Sequence, residues 1–321
     1  MIWTITTVVF LLLRATPGDP ADAVLGPRAP EEFKAQWRQQ NGFDLPLWLQ
    51  YVNYLGGLLR LDLGNSIVSG GKPVWNIIRE HFPATAELSL YGMVVALVIG
   101  VGAGILSASH PNSPIDVGGR IFGIVTYSVP IFWVGMLLQL TLSVQLGLFP
   151  DSTRFPTGVD TPIGPTGLYT LDSLFQLDFG SFATALYYLT LPALTLGIVL
   201  SGIFERIVRV NLKQTLRADY VEAARARGIP ERRVILRHAL KNALIPVVTV
   251  LGLTLAALLG GAVLTEVTFS WPGLGMELYT AISNRDYSTV QGVIVFFAII
   301  VVVASIAIDL VNAYIDPRIR Y

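Results

Sequence analysis

The 321-residue chain contains no cysteine and only three histidines, and just 14% of its residues are charged. Without cysteine there are no disulfides, no thiolate metal ligands and no thiol nucleophile. With so few histidines, imidazole metal sites and Ser–His dyads have almost no material. Lysine plus arginine balances aspartate plus glutamate at 22 each. That balance removes any global electrostatic argument for binding nucleic acid. What is abundant is apolar: 53% of the residues are hydrophobic and the mean hydropathy is +0.59. A soluble domain carries roughly 25% charged residues, so the chain reads as an integral membrane protein.

Apolar runs bounded by charge or by Pro/Gly clusters predict spans at 88–108, 121–142, 186–204, 244–265 and 290–312, with a shorter one at 2–13. The short run reaches about 18 Å against a hydrocarbon core of about 30 Å. It has no basic residues ahead of it and no small-residue cleavage site behind it, so we read it as a first membrane helix lacking its beginning. Six spans in one domain, 1–321, then follow.

Basic residues set the orientation. Ten of the 22 lie between the fourth and fifth spans, from Arg206 to Lys241, and the tail adds Arg318 and Arg320. The 143–185 and 266–289 loops hold one each, Arg154 and Arg285. The positive-inside rule therefore places 205–243 and both termini in the cytoplasm. The 15–87 segment lies outside, with short helices around 31–40 and 45–60. It reads either as a packed cover on the bundle or as a docking surface.

His81, His110 and His238 are expected in loops, and the spans offer no paired acids, which argues against an intramembrane hydrolase. No internal repeat and no intramembrane charge pair are apparent, which weakens the competing reading of an ion-coupled secondary transporter. Prolines 130, 192 and 246 are expected to kink or start helices, and "GVGAG" at 100–104 suits close helix packing. "SGGKPV" at 69–74 lacks the glycine and the Ser/Thr of a phosphate-binding loop, so ATP hydrolysis is not expected here.

The basic loop has internal punctuation. Phe204, Val208, Leu212 and Leu216 recur every four residues, extending the fourth span as an amphipathic helix. Asp219 is placed as an N-cap, with Glu222 three residues later as a capping-box partner. Gly228 stands where a left-handed C′ residue would stop the helix, and Pro230 starts the next, over about 231–242. The enclosed helix, 220–227, is too short to be stable alone. It presents Tyr220, Ala223 and Ala224 as a small-residue face, with Arg225 and Arg227 as donors. The arginines alone would suit anionic lipid headgroups; the capped helix with its alanines favours a protein partner on the cytoplasmic side. At the other end, Trp271, Pro272 and Gly273 form either an interfacial anchor and turn or a re-entrant outer gate. Glu266 and Asp309, near span ends, are expected to be hydrated.

Glu222-Ala223-Ala224, three residues, then Gly228 resembles the EAA loop of permease subunits from bacterial ATP-binding-cassette importers. The later part of the loop, His238 to Pro246, departs from the general pattern and resembles the dipeptide/oligopeptide/nickel branch. "RATPGDP" at 14–20, "FPATAELSL" at 82–90, "LPALTLG" at 191–197, "FSWPGLG" at 269–275 and "DPRIRY" at 316–321 extend the likeness along the chain. The short first span departs from the family, whose first helix is full length. The resemblance implies an all-α, six-span permease of the bacterial inner membrane that imports peptides or a related small solute. Its coupling helix would comprise Asp219, Tyr220, Glu222, Ala223, Ala224 and Arg225, with Gly228 at the turn. Glu222 would serve capping and interface contact, and Ala223 and Ala224 close approach to a partner. The implied partners are a second homologous permease, two ATPase subunits carrying ATP and Mg, and an extracytoplasmic substrate-binding protein. No cofactor is implied on this chain.

Overall fold

Glycine and proline divide an otherwise continuous apolar sequence into helices of very different length. A computed structural model describes residues 2–315, with side chains through 310, so "DPRIRY" at 316–321 lies outside the described residues. Among them there is no strand, only an isolated bridge between Asn65 and Pro73. Helix α1 (Ile2–Ala15) is followed by α2 (Pro20–Leu25), α3 (Glu31–Gln40) and α4 (Leu47–Leu59), matching the short helices expected outside. Then come α5 (Val74–Ser109), α6 (Pro114–Ser128), α7 (Ile131–Leu138), α8 (Tyr169–Phe175) and α9 (Phe179–Thr215). The remainder is α10 (Asp219–Ala226), α11 (Glu231–Ala243), α12 (Ile245–Leu259), α13 (Val263–Thr268), α14 (Leu274–Ser283) and α15 (Tyr287–Ile315).

Three helices, α5, α9 and α15, are long and apolar enough to cross a membrane. Two bent pairs, α6 with the helix beginning at Ile131 and α11 with α12, bring the total to five if each pair is one span. At 14 residues α1 is shorter than a span. The expected single helix at 121–142 is corrected to two, bent by 102°. The cause is Pro130, which forces Val129 into extended backbone and can only begin a new helix. The expected span 244–265 stops at Leu259, because Gly261 turns to φ +120° before α13 starts. Proline 246 sits in the first turn of α12, and Pro192 lies inside α9.

The first long span starts earlier than its apolar run. α5 begins at Val74 and carries "FPATAELSL" within it, so the short helices that precede it end before Pro73. Two of the three histidines are thereby corrected from loop to helix: His81 lies inside α5 and His238 inside α11. The segment before α5 is packed on the bundle. Phe10 of α1 stacks with Tyr54 of α4, and Asp286 accepts hydrogen bonds from Ile67 N–H, at 3.2 Å, and from the Ser66 hydroxyl.

The core is the long parallel contact of α5 with α9. Leu88, Ala96, Leu196, Phe204 and Val208 are buried in it, together with Trp271. Close approach depends on the small residues anticipated at 100–104: a Cβ on Gly100 would stand 2.7 Å from Phe204 Cβ, and one on Gly104 2.7 Å from Val208 Cβ. Gly100 also lies against the Ser201 carbonyl, which is backbone and cannot swing away. Gly100→Ala should therefore lower stability by about 1–3 kcal/mol. Gly102→Ala, whose added methyl meets nothing within 4 Å, should stay within about 0.5 kcal/mol of the parent. Thermal unfolding of the two purified variants checks this; equal midpoints would mean the seam is not close-packed at Gly100.

Candidate functional site: the short helix below the bundle

α10 is built between two punctuated ends. Its N-cap is Ala218 in extended backbone (φ −77°, ψ 147°), and no side chain caps it. The capping box expected from Asp219 and Glu222 is corrected: Asp219 is already the first helical residue. The Ala218 N–H is taken up by the Thr215 carbonyl at 3.1 Å, which ends α9. That closing turn, a tertiary circumstance, shifts the start by one residue. Asp219 and Glu222 still lie in the first turn, where the helix dipole favours carboxylates.

The C-terminus follows expectation. Gly228 has φ +76°. Its N–H donates to the Arg225 carbonyl at 2.9 Å, and Ile229 N–H donates to the Ala224 carbonyl at 3.3 Å. This is the paired closure of a Schellman motif, with Ile229 supplying the usual apolar contact.

Spacing then decides what faces inward. Val221 and Ala224, three apart, are buried against Ala108 of α5, Leu212 of α9, and Val234, Ala239 and Ala243 of α11. Ala224 is therefore corrected from a partner-facing residue to a core one; its small side chain lets α10 approach its own bundle. Asp219, Tyr220, Glu222, Ala223, Ala226 and Arg227 form the exposed face.

Polar latches hold the helix in place. Arg225 donates to both Glu231 oxygens, at 2.7 and 3.1 Å, and to the Leu216 carbonyl at 3.1 Å. The guanidinium holds the Glu231 carboxyl below the usual carboxylate range. Asn242 Nδ2–H donates to Tyr220 Oη at 2.8 Å. Lys213 reaches both oxygens of Asp116 at 2.7 Å, tying α9 to α6 just above. Of these partners the sequence signalled none. Glu231 stands six residues from Arg225 across a Gly-Ile-Pro turn, a separation that helix periodicity does not flag.

The residues proposed as an outer gate lie elsewhere. Ala84, which touches Trp271, and Ala108, which touches α10, are about 36 Å apart along α5. Trp271 is 1% exposed, and its Nε1–H donates to the Ala84 carbonyl at 2.8 Å. It is a buried strut; Gly273 is buried beside it and Pro272 is exposed. Glu266, expected to be hydrated, is corrected to fully buried. It accepts from Thr85 Oγ1 at 2.7 Å and from Met276 N–H at 2.9 Å. A Cβ on Gly275 would stand 2.9 Å from Glu266 Oε2, and one on Gly273 would also collide with the carboxylate. The glycines of Trp-Pro-Gly-Leu-Gly therefore make room for a buried acid. Asp309 is exposed on α15.

Beside this lies a pair the sequence did not reveal. Arg154 donates to Glu87 Oε2 through Nε and Nη2, at 2.9 and 2.6 Å, with both residues nearly wholly buried. Thr170 donates its N–H and hydroxyl to Glu87 Oε1 at 2.8 and 2.7 Å, and Tyr169 stacks on the guanidinium at 3.8 Å. The 143–178 loop is thus bolted to α5. Among the described residues no group of three or more His, Asp or Glu side chains could hold a metal ion.

Comparison with known proteins matches residues 100–321 to the family model described as binding-protein-dependent transport system inner membrane component. Residues 1–89 match the N-terminal model of such membrane components. The chain is 41% identical to a di/tripeptide transport system permease protein of Pseudomonas aeruginosa, covering 99% of this chain and 94% of that one. It is 35% identical to an oligopeptide transport system permease protein of Bacillus subtilis, over 99% and 94% of the two chains. Among solved structures it resembles a chain of the MetNI methionine ABC transporter in an inward-facing conformation. There the TM-score is 0.55 and the identity 16%, over 75% of this chain and 96% of that one, a likeness of fold.

Proposed function

Because the chain belongs to the family of binding-protein-dependent transport system inner membrane components, we propose that it is one permease subunit of an ATP-driven importer of di- and oligopeptides. The substrate class is supported by the peptide permeases that match nearly its whole length. A second, homologous permease would complete the pathway. Two ATPase subunits would carry the ATP and Mg, and an extracytoplasmic binding protein would deliver the peptide. Hydrolysis belongs to the partners; this chain converts their motion into alternating access. With 205–243 and both termini cytoplasmic, α10 faces the ATPase.

The observation that carries the coupling role is the division of α10 into two faces. Val221 and Ala224 fasten it to α5, α9 and α11, while Tyr220, Glu222, Ala223 and Arg227 remain exposed. A helix of eight residues with one face locked into the bundle moves with the bundle. A push on its exposed face is passed on instead of being absorbed by a flexible loop. Arg225, bound to Glu231, is part of the lock more than of the outer face.

The test is a bulky substitution on the free face. Ala223→Trp should leave the permease folded, since Ala223 is exposed. Recovery of the ATPase with the tagged permease after gentle extraction should fall about tenfold or more, the scale of a lost interface hot spot. Undiminished recovery from Ala223→Trp would overturn the docking face. Failure of the parent chain to recover any ATPase would overturn the importer reading itself.

A further inference from the structure

One buried acid has no task in the arrangement above. Glu205, on α9, is fully buried. Its Oε1 accepts from Arg209 Nε at 2.9 Å, and its Oε2 has no hydrogen-bond partner. An unpartnered carboxylate oxygen inside a bundle costs free energy that an apolar residue would not. An ionisable group within a membrane bundle points to a function. Glu205 lies on the wall of a cavity of about 660 Å³ between α6 and α9, with Arg120, Gly123, Tyr127, Ser128 and Arg206 around it. Ligand pockets fall at about 300–1,000 Å³, so the cavity is of the right scale for a small solute.

The cover over the free oxygen is a glycine. A Cβ on Gly123 would stand 2.8 Å from Glu205 Oε2. The oxygen is enclosed, and the residue of α6 that lies over it puts no side chain of its own between it and the cavity. The charges on the wall are of both signs. Arg209 already serves Glu205, whereas Arg120 and Arg206 make no ion pair among the described residues. A simple anion would leave Glu205 Oε2 without a hydrogen-bond donor, and a simple cation would be opposed by Arg120 and Arg206. A molecule carrying both charges answers both.

We propose that this cavity is a substrate station that receives a peptide zwitterion, its α-ammonium on Glu205 Oε2 and its carboxylate on Arg120 and Arg206. The assignment rests on the peptide-importer reading and adds to it the residues that touch the cargo. Glu205 lies seven residues before Leu212, which anchors α10, or about 10 Å along α9. The station thus sits on the membrane side of the coupling helix, at the inner end of the path.

The test uses the assembled importer in nanodiscs without its binding protein and radiolabelled alanyl-alanine as the probe. N-acetylated and C-amidated alanyl-alanine should each compete about tenfold or more weaker than the free peptide, because each leaves a charged site group unmatched. Glu205→Gln should erase the preference for the free amine, and Arg120→Gln the preference for the free carboxylate. Arg120 is exposed and its replacement leaves the core intact, so the pair stays informative if the Glu205 variant folds poorly. No binding of the probe, no discrimination by the parent, or preferences unchanged in both variants would each overturn the station. ATP-driven uptake of the same peptide, measured alongside with the binding protein added, separates the two readings. Intact uptake with a failed binding test rejects the station alone; absent uptake together with absent ATPase association rejects the importer.

Discussion

Importer assembled with Gly228→Val should retain its ATPase subunits and hydrolyse ATP, yet take up peptide at least about tenfold more slowly than the parent. The reason is conformational. Gly228 has φ +76°, and a Cβ there would meet nothing within 4 Å, so no clash with neighbours is involved. A left-handed backbone costs an ordinary residue about 1–2 kcal/mol and is a genuine outlier for a β-branched one. Valine at 228 would relax by abandoning the two closing hydrogen bonds, to the Arg225 and Ala224 carbonyls. Ile229 would then leave the small cluster that seats α10. The helix would lose its fixed attitude while its exposed face stayed chemically unchanged, so contact with the ATPase survives and transmission does not. Gly228→Asn, a residue that tolerates the left-handed region, should restore most of the uptake. Uptake and ATPase activity measured on the same proteoliposomes decide it: normal uptake by the valine variant would show that the turn does not carry the coupling.

Arg154→Met should be the most destabilising single change near Trp271. It strands the Glu87 carboxylate, which would keep the two Thr170 donors but lose its only cation among the described residues. Removing one partner of a buried ion pair costs about 3–5 kcal/mol. In a chain of this size that lowers the unfolding midpoint on the order of 10 °C. Glu87→Gln combined with Arg154→Met should recover a large part of the loss, because the amide oxygen still accepts from Thr170 and no charge is left alone. Thermal unfolding of the purified permease, parent against single and double variants, gives the comparison. A single variant within about 2 °C of the parent would mean that water reaches Glu87 and the pair is not truly enclosed.

Local chemistry and tertiary context divide cleanly at the short helix. Gly228 and Pro230 act through their own backbone dihedrals, so the end of α10 and the start of α11 could be read from residue type alone. The four-residue repeat likewise places the buried stripe of α9 at Phe204, Val208 and Leu212, because helix geometry alone puts those positions on one face. Asp219 is different. Whether it caps depends on where the preceding helix closes, and the Thr215–Ala218 hydrogen bond settles that one residue earlier. The side that Ala224 faces is not legible in the sequence, because an alanine carries no polarity to say which way it points. Only the pocket formed by Ala108, Leu212 and Val234 makes it inward.

Elsewhere in the chain the same contrast holds. The sequence by itself determined that the chain is a helical membrane protein, which stretches are apolar enough to be buried, where proline and glycine interrupt them, and which family motifs it carries. Each of these depends on a composition, a periodicity or a single residue's allowed dihedrals. The tertiary structure decided that Glu266 is buried under two glycines, that Trp271 is a strut, that Glu87 meets Arg154, and that Glu205 keeps an oxygen free. In these cases the partner stands from four to 187 residues away. A charge or an indole in a sequence does not state its partner; only packing brings the two together and removes the water that would otherwise satisfy them.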